Sequence, residues 1–332
     1  MKKLLLTSIV ASALLTSCSD DNNSSSKNEL KLFTTSNTTG RISVTDLTNA
    51  IPIISNLNIA SADADGIFYM AQSDEVILAS RTNNMIEVYG DLKNGVSAGL
   101  PNLLISQSSA SDFSNPREIA VVGNKIIVTQ DQSPANGNTN KLLVYQKSST
   151  GMTLLNDYTV DFKVWGIHID GTTLYAVADL TSDLVVFNNF FSNTNGMITP
   201  SKRITIEGLV RTHGITFSSA KNMMLLTDVG NATSDIDGGI ILIPNFSSKL
   251  NATANMGTIA MNDQVRIYGP ATMLGNPVDV AYDAVTEKIY VAERLNSGGK
   301  LLVFAKPTAN GDFSPISSRV EAGISGVFLY RE

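Results

Sequence analysis

Residues 276–304 read NPVDVAYDAVTEKIYVAERLNSGGKLLVF, and this stretch decides the fold of the chain. Its first part alternates the apolar residues Val278, Val280 and Tyr282 with other residues, which is the period-two pattern of a β-strand. Two further apolar runs end in Val-Ala-Glu and Val-Phe, and Asp, Asn, Ser and Gly occupy the segments between the runs. The stretch therefore predicts three short consecutive strands.

The same three-strand unit recurs along the chain about every 50 residues, with one longer interval after Ile215. The sixth copy stops after its first strand, and residues 30–35 and 40–47 match the missing second and third strands. One unit is therefore predicted to combine both chain ends, which would pair strand edges that are otherwise open. The central apolar residues of the six first strands are Ile67, Ile119, Ile167, Ile215, Val280 and Val327.

The unit at 276–304 resembles an NHL-type repeat. The matching positions are Pro277, Val280-Ala281, Val291-Ala292-Glu293 and Val303-Phe304. With six copies, the resemblance implies an all-β, six-bladed β-propeller over residues 30–332, closed by pairing of the N- and C-terminal strands. An open solenoid is the alternative fold, and it would need no complementary ends.

The first 17 residues have the pattern of a lipoprotein signal peptide. Lys2 and Lys3 precede an apolar run that is too short to span a bilayer permanently. Residues 15–18, Leu-Thr-Ser-Cys, resemble a bacterial lipobox, which implies cleavage before Cys18 and its acylation, with palmitate among the chains. A plain secretory signal is the alternative interpretation.

Residues 18–29 form the predicted acylated cysteine and its tether, since no apolar residue follows Cys18 up to residue 29. The Asp20-Asp21 pair resembles the export signal of surface lipoproteins in some Gram-negative lineages. The expected location is therefore the outer membrane, with a lipid anchor at Cys18 and the domain facing outward from the cell.

Composition argues against several other functions. Cys18 is the only cysteine, so disulfides, thiolate zinc sites and a cysteine nucleophile are absent from the remaining sequence. The net charge of −6 provides no basic field for nucleic acid. Neither G-x-S-x-G nor H-E-x-x-H occurs, which argues against an α/β-hydrolase elbow and a zincin.

The predicted channel mouth is the first candidate for a binding site, because the first strand of each propeller blade lines the central channel. Positions two residues before the six aligned residues are expected to ring one mouth. Five of them are predicted to contact a ligand, and a plug of side chains with water is the alternative. The ring consists of the five predicted ligand contacts Asp65, Arg117, Trp165, His213 and Ser325, together with Val278.

Two other features are predicted to be structural. His168 lies on an inner strand and is expected to pack between blades. The residues that end the second strands are expected to accept backbone N–H bonds in the following turns. These strand-end residues are Thr35, Ser80, Gln130, Asp179, Asp228 and Glu293.

An enzymatic alternative comes from residues 212–228, THGITFSSAKNMMLLTD, which resemble the gluconolactonase-like calcium propellers. The resemblance implies Ca²⁺ at Asp65 and Asp228 and a lactonase or related hydrolase activity. His213, however, occupies the position where that family has a calcium-binding Asn, and calcium prefers oxygen ligands.

Two functions follow from these patterns. The first is a non-catalytic, lipid-anchored module without a cofactor that binds a protein, glycan or small ligand. The second is the calcium-dependent hydrolase. An insertion at residues 245–274 is a further candidate contact surface.

Overall fold

The structure is a computed structural model that describes residues 29–332. It contains six sheets, which are the blades of a β-propeller. Blade 1 contains β1 (Leu30–Ser36), β2 (Arg41–Asp46), β3 (Ile53–Asn58) and, from the other end of the chain, β26 (Ile324–Arg331). Blade 2 contains β4 (Ala64–Met70), β5 (Glu75–Ser80), β6 (Met85–Tyr89) and β7 (Ile105–Ser108). Blade 3 contains β8 (Pro116–Val122), β9 (Lys125–Gln130), β10 (Asn140–Lys147), β11 (Met152–Val160) and β15 (Gly196–Met197).

The second half of the ring continues in the same order. Blade 4 contains β12 (Val164–Asp170), β13 (Thr173–Ala178), β14 (Asp183–Phe187), β16 (Lys202–Ile206) and β20 (Thr258–Ile259). Blade 5 contains β17 (Thr212–Ser218), β18 (Met223–Asp228), β19 (Gly239–Pro244) and β21 (Val265–Tyr268). Blade 6 contains β22 (Pro277–Asp283), β23 (Lys288–Glu293), β24 (Lys300–Ala305) and β25 (Ser317–Val320).

Helices within residues 29–332 are short. The α-helices are α1 (Leu92–Ser97) and α2 (Phe246–Ala252). Single 3₁₀ turns occur at Pro134–Asn136, Phe190–Ser192, Ser219–Lys221, Met261–Asp263, Pro270–Thr272 and Asn296–Gly298. None of the helices in this part of the chain is long and apolar enough to cross a bilayer.

Closure of the ring follows the prediction. Strand β1 pairs antiparallel with β26, with Phe33 opposite Phe328, so the two chain ends build one blade. The inner strands β26, β4, β8, β12, β17 and β22 contact one another in this order around the axis, and β22 contacts β26. The predicted all-β, six-bladed propeller closed by its terminal strands is thus confirmed.

The hydrophobic core is divided among the six interfaces between adjacent blades. Strand β5 shows why its sequence is apolar on both faces. Val76 and Leu78 pack into the core between blades 1 and 2, whereas Ile77 and Ala79 pack into the core between blades 2 and 3. Alternate residues of one strand therefore stabilise two different interfaces.

The insertion at residues 245–274 adds secondary structure at the rim. It contains α2, and its strand β20 pairs parallel with β16 at the outer edge of blade 4. Strand β21 then returns to blade 5 and pairs with β19. The insertion therefore links two blades at their periphery and lies away from the inner strands.

A β-bulge interrupts the start of all six inner strands. In blade 4, for example, Val164 pairs with Ala178 and Ile167 with Ala176, so two residues of β12 oppose one residue of β13. The same irregularity recurs in the other five blades. Because a bulge changes the direction in which a side chain points, this repeated feature positions the residues at one end of the channel.

Candidate functional site

The six predicted mouth residues lie within these bulges. Four of them form a continuous series of contacts. The Nη1 of Arg117 lies 3.3 Å from the Oδ2 of Asp65, and its guanidinium carbon lies 4.0 Å from the ring centroid of Trp165. Trp165 stacks on His213 with a centroid distance of 3.7 Å and an interplanar angle of 4°. The structure therefore brings Asp65, Arg117, Trp165 and His213 together.

The neighbours of Trp165 restrict what its indole can do. Arg117 belongs to blade 3 and His213 to blade 5, on either side of the blade that carries Trp165. The two side chains therefore cover the faces of the indole, so Trp165 is not a free stacking platform for a sugar or base. Its position nevertheless makes it a reporter of changes at the mouth.

The other two ring positions have separate environments. The hydroxyl of Ser325 donates to the carbonyl oxygen of Ala64 at 2.5 Å and is 3.3 Å from the hydroxyl of Thr35. Val278 packs into the hydrophobic core between blades 6 and 1. Both residues fasten blade 1 to its neighbours, and neither joins the polar contacts of the other four.

Charged residues from the surrounding loops extend the cluster. Asp131 follows β9 directly and lies 3.2 Å from Arg117, while Arg81 follows β5 and lies 3.0 Å from Asp63. Lys163 precedes β12 and lies 2.8 Å from Asp179. Sequence analysis missed Asp63, Arg81 and Lys163, although each directly follows a second strand or precedes an inner strand. We call the mouth cluster the set Asp63, Asp65, Arg81, Arg117, Asp131, Lys163, Trp165, Asp179, Arg211, His213 and Arg294.

Asp179 is the most heavily paired carboxylate of the mouth cluster. It is 1% exposed and contacts Lys163, the Nε of Arg211 at 2.8 Å and the Nε2 of His213 at 3.2 Å. Burial opposes ionisation, but hydrogen bonds from these three groups outweigh it and hold the pKa of Asp179 well below its usual range. Asp179 is therefore a permanent negative charge at the mouth.

His213 is uncharged at neutral pH, because burial lowers its pKa to about 4 despite the hydrogen bond to Asp179. A neutral imidazole that donates from Nε2 has an acceptor at Nδ1. That Nδ1 is buried and has no hydrogen-bond partner in the described chain, and the same holds for the Oδ1 of Asp131. The Nζ of Lys163 lies 3.8 Å from that Oδ1, which is beyond hydrogen-bond distance, so the mouth cluster contains two buried acceptors without a hydrogen-bond donor.

Arg294 contributes a cation of a different kind. It follows β23 directly, and its Nε lies 3.0 Å from the amide oxygen of Asn37 when that amide is oriented to accept. Within residues 29–332 no carboxylate lies within 4.0 Å of its guanidinium group, and burial lowers its pKa. Arg294 is therefore an arginine at the mouth that has only an amide as its partner.

The residues proposed for calcium have other partners. The two oxygens of Asp228 accept backbone N–H bonds from Val210, Arg211 and Gly230 and the hydroxyl of Tyr268, at 2.9 to 3.0 Å. Asp65 faces the cations of Arg117 and Arg81. These donors engage both oxygens of Asp228 and the Oδ2 of Asp65.

The strand-end residues divide into two types. As predicted, some accept backbone N–H bonds in adjacent turns. Asp228 does so, the hydroxyl of Ser80 accepts from the N–H of Asn83, and Glu293 accepts from four backbone N–H groups. Asp179 also accepts a backbone N–H, that of Leu180 at 2.7 Å, and differs from the others in that Lys163, Arg211 and His213 are its further partners.

A second layer lies one residue further along the inner strands. In four blades it is glycine, and a Cβ added to Gly66 would lie 2.2 Å from the Oε1 of Glu118. The other two residues are the acids Glu118 and Asp279, from the opposite blades 3 and 6. Sequence analysis missed this layer, although its four glycines and two acids each stand one position before the aligned apolar residues. Its members are Gly66, Glu118, Gly166, Gly214, Asp279 and Gly326.

Glu118 and Asp279 share an environment without cations. The Oε1 of Glu118 accepts the N–H of Ile119 at 2.8 Å, and the two oxygens of Asp279 accept the N–H groups of Val280 and Val327, each at 2.7 Å. Burial raises the pKa of Asp279 to about 7 and that of Glu118 well above its usual value. The pair therefore favours a bound proton at neutral pH.

Together, the ring of blades and the polar mouth define the chain as a six-bladed β-propeller with a charged cluster at one end of its channel. No protein-family model matches the sequence, and no curated protein does. Solved structures do share the fold, at sequence identities that say nothing about function.

Three solved structures illustrate the fold similarity. A chain of a nidogen/laminin complex aligns with a TM-score of 0.61 and 13% identity, covering 90% of this chain and 98% of that one. A putative 6-phosphogluconolactonase from Bacteroides fragilis gives 0.60 and 10%, covering 92% and 99%. A functionally unknown protein from Desulfotomaculum acetoxidans gives 0.54 and 11%, covering 87% and 79%.

Proposed function

We propose that this protein is a lipid-anchored, NHL-type propeller that binds a ligand without catalysis at its channel mouth, on the cell surface. The ligand class that suits the mouth cluster best is an acidic glycan, which combines hydroxyl donors with a carboxylate. The observation that carries the proposal is a pair of buried acceptors without hydrogen-bond donors, His213 Nδ1 and Asp131 Oδ1, in a cluster that also holds Arg294. Hydroxyl groups would donate to the two acceptors, and the carboxylate would pair with the arginine.

The charge balance of the mouth cluster supports an anionic ligand. The protein as a whole is negative, with a net charge of −6, yet the cluster holds five cations and four carboxylates. A local excess of positive charge attracts an anion, and the attraction is stronger where the charges are partly desolvated. The cations are Arg81, Arg117, Lys163, Arg211 and Arg294, and the carboxylates are Asp63, Asp65, Asp131 and Asp179.

The direction of β1 supports an outward-facing mouth. Its last residues, Thr35 and Ser36, pair with the bulged start of β26 at the mouth end, so Leu30 begins at the opposite end of the channel. A tether from Cys18 would therefore join the propeller at the end away from the mouth. Cys18, residues 1–17 and residues 18–28 of the tether lie outside the described residues. Anchored in this way, the mouth would point away from the membrane.

The binding proposal is tested with the fluorescence of Trp165, the only tryptophan. Oligogalacturonate is titrated into the protein beside a neutral galacto-oligosaccharide of equal length. We expect saturable quenching or shifting of the emission by the acidic glycan only. Replacing Arg294 by Gln should weaken that binding about tenfold, because a charge-assisted hydrogen bond is lost.

The matched control is Lys221→Gln, since Lys221 is an exposed cation that follows the opposite end of β17. Its replacement should leave the affinity unchanged. Equal responses to the acidic and neutral glycans, or equal effects of the two variants, would refute the proposed acidic-glycan site.

The anchor is tested separately by growth with radiolabelled palmitate. The wild-type protein should incorporate the label and fractionate with the outer membrane, and external protease should degrade it in intact cells. Cys18→Ser should abolish labelling and release the protein from the membrane fraction, because the variant lacks the acyl chains that hold the protein in the bilayer. Unlabelled wild-type protein would contradict the anchor.

Calcium-dependent lactone hydrolysis is the second candidate function, and its support is the resemblance of residues 212–228 to the gluconolactonase-like calcium propellers. Asp65 and Asp228 do lie at the same end of the channel, because each is close to the start of an inner strand in the β-ladder. Stoichiometric calcium after purification without chelator, together with chelator-sensitive hydrolysis of gluconolactone, would favour this candidate over glycan binding.

A further inference from the structure

The channel contains a cavity of about 240 Å³ on the far side of the Glu118 and Asp279 layer from the mouth cluster. We call it the axial cavity. All six inner strands contribute to its wall. Each contribution begins at the acidic layer or directly after it and extends at least two positions beyond it. The wall therefore changes along the axis from two carboxyl groups at the inner end to apolar and aromatic side chains.

The wall beyond the acidic layer is predominantly apolar. Phe68 and Phe328 contact each other there, with ring centroids 4.5 Å apart, and Tyr282 lines the cavity from blade 6, which adjoins the blade of Phe328. His168 also lines this cavity, and its ring lies edge-on to Phe217 of blade 5, with centroids 6.4 Å apart, in line with the expected packing between blades. Burial lowers the pKa of His168 to about 4, so it adds no positive charge at neutral pH.

The inner end of the axial cavity has carboxyl groups that lack a counterion. Neither Glu118 nor Asp279 lies within ion-pair distance of a cation anywhere in residues 29–332. The Oε1 of Glu118 and both oxygens of Asp279 have backbone donors, but the Oε2 of Glu118 has no hydrogen-bond partner among the described residues. Asp279 is only 7% exposed, and Glu118 is half-buried. Buried carboxyl groups without a cation are costly unless a proton or a bound cation compensates them.

We propose that the axial cavity binds a small primary amine, with its ammonium group at Glu118 and Asp279 and its apolar or aromatic body against Phe68 and Phe328. An ammonium group supplies three donors, which suits the unpartnered Oε2 of Glu118. Aromatic walls favour the body of such a ligand, and their faces also attract cations. The site lies on the opposite side of the acidic layer from the mouth cluster, so it does not depend on the proposed glycan binding.

The proposal is tested by calorimetric titration of the whole protein with benzylamine and with benzyl alcohol, which has a similar shape and no charge. At about pH 8 the amine is protonated and the carboxyl pair carries negative charge. We expect benzylamine to bind at least about tenfold more tightly than benzyl alcohol. Glu118→Gln and Asp279→Asn should each reduce this preference to about threefold or less.

Two further variants locate the binding. Ala281→Phe places a ring in the cavity wall and should abolish binding of both compounds, whereas Arg294→Gln at the mouth should change neither. Thr216→Val changes a residue of the same wall but keeps its shape, so it serves as the control and should bind both compounds like wild type. Equal affinities for amine and alcohol, an absence of amine binding, or amine binding that survives Glu118→Gln and Ala281→Phe would each overturn the proposal.

Discussion

The mouth cluster and the acidic layer beneath it adjoin the same six inner strands, yet Asp179 and Asp279 behave in opposite ways. Burial also raises the pKa of Asp65 and of Asp131 at the mouth, so the contrast is between these two carboxyl groups. At the mouth, hydrogen bonds from His213, Arg211 and Lys163 hold the pKa of Asp179 well below its usual range. One layer further in, burial raises the pKa of Asp279 to about 7. The β-bulge explains the difference. It places the mouth residues beside loops that carry Arg and Lys, and it leaves the next layer among glycines and backbone.

The largest effect that would sharpen this comparison is expected from Asp179→Asn. The amide would place an N–H₂ group against cations and remove the charge that compensates Lys163 and Arg211. Breaking such a buried pair costs about 3 kcal/mol of unfolding free energy, measured by urea denaturation at neutral pH. Because the folded-state pKa of Asp179 lies below its unfolded value, this contribution is present above about pH 4 and is lost as the pH falls further.

The control for this variant is Asp183→Asn, which breaks a more exposed ion pair with Arg203, 2.7 Å away on the outer strands of blade 4. Its cost should be about 1 kcal/mol or less, because solvent screens the pair. Similar costs for the two variants would contradict the view that the mouth is a tightly coupled network.

The fold was predictable because its signals are local and repeat. Six copies of one strand pattern reveal the blades, and the incomplete sixth copy reveals the closure by β1 and β26. The mouth residues were also predictable, since alignment to a common apolar residue carries each position to the same height in every blade. Val278 and Ser325 show the limit of that alignment, because their side chains serve blade packing instead.

The partners of these residues were less accessible to sequence analysis. Lys163 and Arg211 reach Asp179 from loops of two different blades, so their convergence depends on the curvature of the ring. The pairing of Glu118 with Asp279 depends on their opposite positions in a ring of six, which only the blade order gives. The sequence does show glycine at this position in the other four blades. The reason is visible only in the structure, where the channel is so narrow that a Cβ on Gly66 would collide with Glu118.

A smaller effect of opposite sign is expected from Glu118→Gln. The folded state raises the pKa of both Glu118 and Asp279, so it binds protons that the unfolded chain has already released. The stability that these bound protons provide is lost as the pH rises from about 4 to about 7, so the free energy of unfolding falls over that range. Removing one of the two acids removes much of this pH-dependent loss of stability, and Gln can still accept the N–H of Ile119. The variant should therefore be about 2 kcal/mol more stable than wild type at about pH 8, and nearly equal at about pH 4.

The difference between variant and wild type is the quantity to measure, because other groups near the pair also titrate. His168 and His213 have pKa values lowered to about 4, so their contribution raises stability between about pH 4 and 6.5 and opposes that of the acids. Asp65 faces the pair from the mouth side, and Tyr282 lines the cavity with it. These groups are present in both proteins, so their contributions largely cancel in the difference. The control is Asp161→Asn, at an exposed acid, which should give no difference from wild type at any pH. A Gln variant that is less stable than wild type at pH 8 would mean that the acidic layer is compensated like the mouth, and the contrast between the two regions would fail.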